Sequence, residues 1–341
     1  MTEVLALRGR PVCVLASGDP FQHGVGATLA RRLDAGEMEV VPAPSAFSLA
    51  AARLGWALQE TETISLHGRP IEAIRPLLHP GTRILALTSD GEAPGRIARL
   101  IVADGFGSSR VHVLEALGGP GERVLSGPAP AVADGAFAAL NLLAVEVAAD
   151  AGARVLPFGS LDDALFEHDG QLTKREMRAV TLTALAPRRG ELLWDIGAGA
   201  GSVAIEWMLR HPSLRAVAIE AEPERAARIR RNAGALGVPG LVVAEGAAPG
   251  ALARLPTPDA IFVGGGGTDP GVLDAAVAAL PAGGRLVANA VTLEMQAVLL
   301  ASAARLGGSL TTISIGRAAP VGGMTGWRPA MPVVQWAWVK P

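Results

Sequence analysis

A glycine-rich turn placed directly behind an apolar run constrains this chain more than any other feature. Leu192-Leu193-Trp194-Asp195-Ile196 leads straight into Gly197-Ala198-Gly199-Ala200-Gly201, and a helical pattern from Ser202 to Arg210 follows. Glycines at such a bend reach positive φ and let a ligand approach bare backbone, while the helix N-terminus supplies unpaired N–H groups. Taken alone, a turn of this kind often only tightens a strand-to-helix connection, so the surrounding pattern has to decide.

That pattern is regular. Ala216-Val217-Ala218-Ile219, Leu241-Val242-Val243-Ala244, Ala260-Ile261-Phe262-Val263 and Arg285-Leu286-Val287-Ala288 are short apolar runs separated by helical segments, which predicts a parallel sheet with crossover helices. Leu310 to Ile315 and Val333 to Val339 predict an antiparallel closing hairpin, about seven strands in all. The first half alternates more weakly, with strands expected at Val12 to Ala16, Met38 to Val41, Ile84 to Leu87 and Val111 to Leu114. A length of 341 residues exceeds one ordinary core. Ala144 to Gly159 passes from a helix-like apolar stretch into Gly152, Pro157 and Gly159, so two α/β domains are expected, 1–151 and 152–341.

Composition narrows the function. Half of the residues are apolar, but Gly, Pro or a charge breaks every run before it could cross a bilayer, and no continuous apolar core follows Met1. A cytoplasmic protein without a membrane partner is the expectation. Cys13 is the single cysteine and is read as a small core hydrophobe; the six histidines are scattered, so no metal is expected. A net charge of -2 lacks the basic excess of a nucleic-acid binder. Arg225, Arg228, Arg230 and Arg231 are read as the solvated face of a helix within Pro223 to Ala235.

Glu220 closes the second strand of the second domain, where a carboxylate can accept from both hydroxyls of a ribose; a surface Glu beside Glu222 and Glu224 is the alternative. Glu245-Gly246-Ala247-Ala248-Pro249 offers either an apolar floor for adenine or a plain turn. The spacing G-x-G-x-G favours S-adenosylmethionine over a dinucleotide.

Leu172-Thr173-Lys174-Arg175-Glu176-Met177-Arg178-Ala179-Val180, followed by Leu193 to Val203, resembles the decarboxylating half of the precorrin-6Y C5,15-methyltransferase family. Ala16-Ser17-Gly18-Asp19-Pro20-Phe21, Pro42 to Ser48, Thr88-Ser89-Asp90-Gly91 and Leu114 to Gly118 resemble the tetrapyrrole methylase family through about residue 145. The resemblance implies an α/β fold of two domains: an incomplete tetrapyrrole methylase domain, then a Rossmann-like class I methyltransferase with a seven-stranded mixed sheet. Nothing before Cys13 matches the family's opening strand and glycine loop, so the expectation is that either the start is misassigned or the first domain lacks an edge of its cofactor site.

The resemblance further implies methylation of precorrin-6B at C5 and C15 by S-adenosylmethionine, with loss of carbon dioxide from the ring C acetate, giving precorrin-8X in cobalamin biosynthesis. The first domain would serve C5, the second C15 and decarboxylation, and related second domains assemble as homo-oligomers. Family contacts to the cofactor carry over to Thr173, Gly197, Ala198, Gly199, Ala200, Gly201, Glu220 and Ala247. Thr173 could equally be the N-cap of the following helix. Ser17, Gly18, Asp19, Thr88 and Ser89 are the first-domain site candidates. A polycarboxylate substrate calls for cationic clamps, and Lys174, Arg178, Arg317 and Arg328 are the candidates, with ordinary surface charge as the other reading. Gly265, within Gly264 to Gly267, offers bare backbone to a macrocycle. Asn289 and Glu294 flank the next strand end; Glu294 is a candidate proton-handling group or a helix-start carboxylate favoured by the dipole. Trp327, Trp336 and Trp338 could stack on the tetrapyrrole, though packing is the preferred reading for a pair sharing one strand face. The rival functions are a class I methyltransferase acting on RNA or another small molecule, and a non-catalytic tetrapyrrole-binding scaffold.

Overall fold

The computed structural model describes residues 2–341 of the chain; Met1, where the reading of an N-terminal signal began, lies outside the described residues. Two compact units form, the first reaching Val155 and the second spanning Leu156–Pro341.

The first unit contains α1 (Thr2–Ala6), α2 (Val25–Leu29), α3 (Ala46–Leu54), β1 (Thr61–Ser65), β2 (Arg83–Leu87), α4 (Ala93–Ala103), β3 (Arg110–Glu115), β4 (Arg123–Pro128), α5 (Ala129–Ala133) and β5 (Asn141–Glu146). The sheet order is β1-β2-β5-β3-β4, and only β1 and β2 run parallel. Period-two alternation sorts its side chains onto two faces. Ile84, Val111, Val113, Leu143 and Val145 pack with Ile97 and Ile101 of α4, whereas Leu85, Leu114, Leu142 and Ala144 pack with Phe47 and Trp56.

Three expectations for this unit fail. Val12 to Ala16 and Met38 to Val41 are not strands but exposed irregular chain, with Leu15 92% and Val41 77% accessible. Cys13 is exposed and not a core residue. An apolar, β-prone run becomes a strand only where a neighbouring strand takes up its N–H and C=O groups, and among the described residues these runs have none. The helix-like start at Ala144 belongs to β5, whose apolar run is continuous because both of its faces are covered.

The second unit contains α6 (Arg175–Leu185), β6 (Leu192–Ile196), α7 (Ser202–Leu209), β7 (Arg215–Glu220), α8 (Pro223–Ala235), β8 (Val242–Glu245), β9 (Ala260–Val263), α9 (Val272–Ala279), β10 (Arg285–Ala290), α10 (Leu293–Leu306), β11 (Ser309–Ile313), β12 (Gly316–Val321), β13 (Met324–Pro329) and β14 (Val333–Val339). The sheet has the expected seven strands, ordered β11-β14-β10-β9-β6-β7-β8. β10, β9, β6, β7 and β8 are parallel, and β14 and β11 close the edge antiparallel. Every residue of β6 is buried: Leu193 packs beneath α7 and α8, while Leu192, Trp194 and Ile196 pack against α9 and α10 on the other face. The chain winds from β6 outward through β7 and β8, then returns to β9 on the opposite side. The crevice beyond the carboxyl ends of β6 and β9 is therefore the topological switch point, where ligands of such sheets bind.

The sequence reading did not separate out β12 and β13, which pair only with each other as an exposed ribbon. Trp327 stands on it 78% accessible, whereas Trp336 and Trp338 pack in the core as expected, their rings 6.1 Å apart and their indole N–H groups bonded to Gly307 and Leu306 carbonyls. Trp336→Ala should cost about 3–5 kcal/mol, the usual penalty for emptying a large aromatic site. Urea unfolding of the intact chain followed by circular dichroism measures that loss.

Candidate functional site

The glycine loop lies at the switch point. Gly197, Gly199 and Gly201 all have positive φ, at 68°, 59° and 75°. Two of these positions also tolerate no side chain: a Cβ on Gly197 would fall 2.6 Å from the Cα of Gly265, and one on Gly199 would fall 2.9 Å from the carbonyl oxygen of Gln171. The expected macrocycle-facing glycine, Gly265, is thus packed against the cofactor-loop candidate. The N–H groups of Gly197 and Ala198 both donate to the Ile219 carbonyl, which ties the loop to the end of β7.

Glu220, at that end, is only 5% exposed. Its carboxylate accepts from the Gly199 N–H at 2.8 Å and the Glu222 N–H at 3.1 Å, so it is a residue of the loop's own framework and not a surface Glu. A carboxylate has about four acceptor positions, which leaves capacity for hydroxyl donors. The Gly246 N–H bonds to the Glu220 carbonyl at 2.9 Å, bringing the turn that carries exposed Ala247 beside it. Behind the loop the Asp195 carboxylate accepts the Ala204 N–H at 3.0 Å. Burial pushes its pKa up to about 7; the Ala204 N–H opposes the rise and the charge of Glu220 adds to it. Asp195 was read only as a member of the strand, and its environment depends on α7 folding back over β6.

Thr173 lies half-buried at the start of α6, two residues after the Gln171 carbonyl that abuts Gly199. It is not the N-cap: Lys174 occupies that position, with no side-chain cap bond. The Thr173 carbonyl instead accepts from Arg178 Nη1 at 2.6 Å. Arg178 is correspondingly no substrate clamp. It is 0% exposed, and its guanidinium donates to Glu206 at 2.7 Å, Asp163 at 2.8 Å and the Leu161 carbonyl at 2.5 Å, over the ring of Phe166. Four of its five N–H donors are engaged and the group is fully buried, so it is not placed to receive a substrate carboxylate.

The arginines of α8 lie on a solvated helix face as expected, with Arg230 and Arg231 exposed, and each is paired there with an acid. Arg225 and Arg228 contact Asp169 at 2.9 and 3.1 Å, Arg231 contacts Glu167 at 2.8 Å, and Arg230 contacts Glu245 at 2.8 Å. The Arg225 bond, the Gln171 N–H and Arg228 hold the Asp169 carboxyl well below the usual range. The face is solvated, and what the sequence left unread is the acids, two of them distant in the chain, that pair with it.

The remaining cationic candidates gather near the start of α6. Arg317 on β12 pairs with Glu176, and Arg328 is its register partner on β13, while Lys174 lies half-exposed 3.9 Å from Asp163. Glu294 is exposed in the first turn of α10, whose N-cap is Thr292. Asn289 is engaged in a partly buried network, donating to Thr181 at 2.9 Å and accepting from Gln335 at 3.0 Å.

In the first unit the Asp19 carboxylate accepts the N–H groups of Phe21 and Gln22 in a turn with exposed Ser17 and with Gly18 at φ 68°. The Thr88 hydroxyl donates to the Asn141 carbonyl at 2.8 Å, and Ser89 accepts from the Gly68 N–H and donates to the Leu66 carbonyl. No hydrogen bond joins these two groups among the described residues.

A mixed sheet with a glycine loop at its switch point, an acidic neighbouring strand end and an antiparallel closing edge defines a Rossmann-like, class I methyltransferase-type domain in the second unit. The sequence comparisons make the family specific. Residues 164–340 match the precorrin methyltransferase domain, and residues 1–133 match the tetrapyrrole (corrin/porphyrin) methylases. The chain belongs to the precorrin methyltransferase family. It is 64% identical over 341 residues to a precorrin-6Y C(5,15)-methyltransferase [decarboxylating] from Sinorhizobium, covering 100% of this chain and 83% of that protein. The Mycobacterium tuberculosis protein of the same name is 44% identical over 97% of this chain and 83% of its own length. The crystal structure of the C-terminal domain of precorrin-6Y C5,15-methyltransferase from Rhodobacter capsulatus aligns with TM-score 0.52 and 46% identity, over 54% of this chain and all of that one.

Two outcomes follow from the geometry. Arg178→Met strands Glu206 as a buried charge and should destabilise the chain by roughly 3–5 kcal/mol, read by urea unfolding at neutral pH. Asp195 is neutral in the folded chain where it is already ionised in the unfolded one, so folding takes up a proton between about pH 4 and 7 and this group's contribution falls as pH rises through that window. Asp195→Asn should therefore gain stability relative to the parent as pH is raised from about 5 to 8; a constant difference across that range would refute the assignment.

Proposed function

We propose that the chain methylates precorrin-6B at C5 and C15 and removes carbon dioxide from the ring C acetate, giving precorrin-8X in cobalamin biosynthesis. The observation that carries this reading is the 64% identity, over the whole chain, to a decarboxylating precorrin-6Y C(5,15)-methyltransferase. Residues 152–341 serve C15 methylation and decarboxylation, and residues 1–151 serve C5.

The residues at the switch point fit the cofactor. The loop from Gly197 to Gly201 offers bare backbone, Glu220 offers acceptor capacity for ribose hydroxyls, and Ala247 offers an apolar surface beside it. When bound there, S-adenosylmethionine supplies an electrophilic methyl group. The protein's share is to orient an electron-rich ring carbon toward that methyl and to exclude water, so positioning dominates. Thr173 borders the same loop. Lys174, Arg317 and Arg328 are the cations available to hold substrate carboxylates, with Arg317 already oriented by Glu176. Gly265 supplies backbone on the β9 side, and Glu294, exposed at the head of α10, is the proposed proton-handling group of the decarboxylation. In the first unit Ser17, Gly18, Asp19, Thr88 and Ser89 form the proposed second cofactor region. No helix among the described residues is long and apolar enough to cross a membrane. The reading places the enzyme in the cytoplasm, as a homo-oligomer, with the tetrapyrrole and not nucleic acid as its partner.

Incubation of the intact chain with S-adenosylmethionine and precorrin-6B, followed by mass spectrometry, should show two added methyl groups and loss of carbon dioxide. One methyl with decarboxylation would confine activity to the second unit; methylation of RNA in place of precorrin would overturn the reading. Glu220→Gln should raise the KM for S-adenosylmethionine in the decarboxylating reaction roughly tenfold by weakening a charge-assisted acceptor.

A further inference from the structure

The segment from Ser160 to Thr173 crosses the glycine loop as a strap with little secondary structure of its own, a single turn of 3₁₀ helix at Asp163–Leu165. Its position is imposed from outside at three places. At its start, the N–H groups of Ser160 and Leu161 donate to the Glu206 carboxylate of α7 at 3.2 and 3.0 Å, and the Leu161 carbonyl accepts from Arg178. Near its end, Asp169 lies between Arg225 and Arg228. At the centre, the side chain of Asn232 on α8 accepts the Glu167 N–H at 2.9 Å and donates to the Glu167 carbonyl at 3.0 Å, reading one residue of the strap as a neighbouring strand would.

Asn232 makes one more bond. Its Nδ2 also donates to the carbonyl of Ala200, inside the glycine loop, at 2.9 Å. Both amide hydrogens and the amide oxygen are thus used, and the residue is 1% exposed, so water cannot replace any of the three partners. One side chain joins the strap to the loop. Four residues further along the strap, the Gln171 carbonyl rests against Gly199, so the loop and the strap must be in register for either to adopt its observed path.

We infer that Asn232 is a positioning residue for the cofactor loop: by bonding Glu167 and Ala200 at once, it holds the loop in its binding conformation before ligand arrives. This rests on the reading that the Gly197 to Gly201 loop holds S-adenosylmethionine. Asn232 does not touch the reacting atoms. Its contribution is pre-organisation, because affinity falls in proportion to the fraction of protein that is binding-competent.

The test is titration of the intact chain with S-adenosylhomocysteine by calorimetry, with steady-state kinetics alongside. Glu220→Gln identifies the binding component that belongs to the second unit. Asn232→Asp keeps the size and the acceptor for the Glu167 N–H, but it replaces both donors by oxygen facing two carbonyls. The dissociation constant of that component should rise roughly tenfold, and the KM for S-adenosylmethionine with it, while kcat at saturating cofactor stays within about twofold, since bound ligand itself then orders the loop. Asp169→Asn, on the solvent side of the strap, frees Arg225 and Arg228 without touching the loop; it should weaken binding several-fold and reduce its dependence on salt. A lowered melting temperature with an unchanged dissociation constant in both variants would make Asn232 merely structural and overturn the inference. Should Asn232→Asp fail to fold, unchanged binding by Asp169→Asn overturns it alone. Failure of the parent chain to bind, or of Glu220→Gln to change binding, removes the cofactor-site reading itself and the inference with it.

Discussion

The buried ion pair between Arg178 and Glu206 is the constraint on which the second unit's site depends. Both side chains are withdrawn from water, and neither could be there alone, since the desolvation of an isolated charge exceeds what any single neighbour returns. Each therefore recruits backbone partners: Arg178 the carbonyls of Leu161 and Thr173, Glu206 the N–H groups of Ser160 and Leu161. Two helices on either side of β6 in the chain thereby determine where the segment before α6 runs. Such a pair contributes definition more than net stability, because an apolar pair of equal volume would pack as well without directing any backbone.

From that anchor the site is assembled by neighbours that share atoms. The Ile219 carbonyl holds two loop N–H groups, the Glu220 carboxylate holds a third, and the Glu220 carbonyl holds the following turn. One strand end thus organises the glycine loop and the turn bearing Ala247 together. Two acids, Asp195 and Glu220, sit close to the start of α7, where the helix N–H groups favour negative charge. Burial nevertheless dominates at Asp195 and raises the pKa of its carboxyl.

How much of this was legible depended on whether the cause was local. The strand at Leu192 to Ile196, the loop of Gly197 to Gly201 and the acidic end at Glu220 lie close together in the chain, and backbone sterics and alternating burial suffice to read them. Arg178 departs from its expected role, and the partners of the α8 arginines were not legible, because a cation carries no local mark of its partner: Glu206 is 28 residues from Arg178, and Asp169 is 56 from Arg225. Val12 to Ala16 failed for the opposite reason, since its local β preference was sound but no adjacent strand among the described residues satisfies its backbone.

By itself, then, the amino-acid sequence determined the doubly wound second unit, its loop and the family to which the whole chain belongs, because glycine backbone freedom and hydrophobic period act over a few residues at a time. Tertiary structure alone decided which charges face solvent and which are consumed inside, that Asn232 meets both Glu167 and Ala200, and that Gly197 lies against Gly265. Those outcomes turn on distances between segments remote in sequence, and a Coulomb or hydrogen-bond interaction has no value until the fold has set that distance.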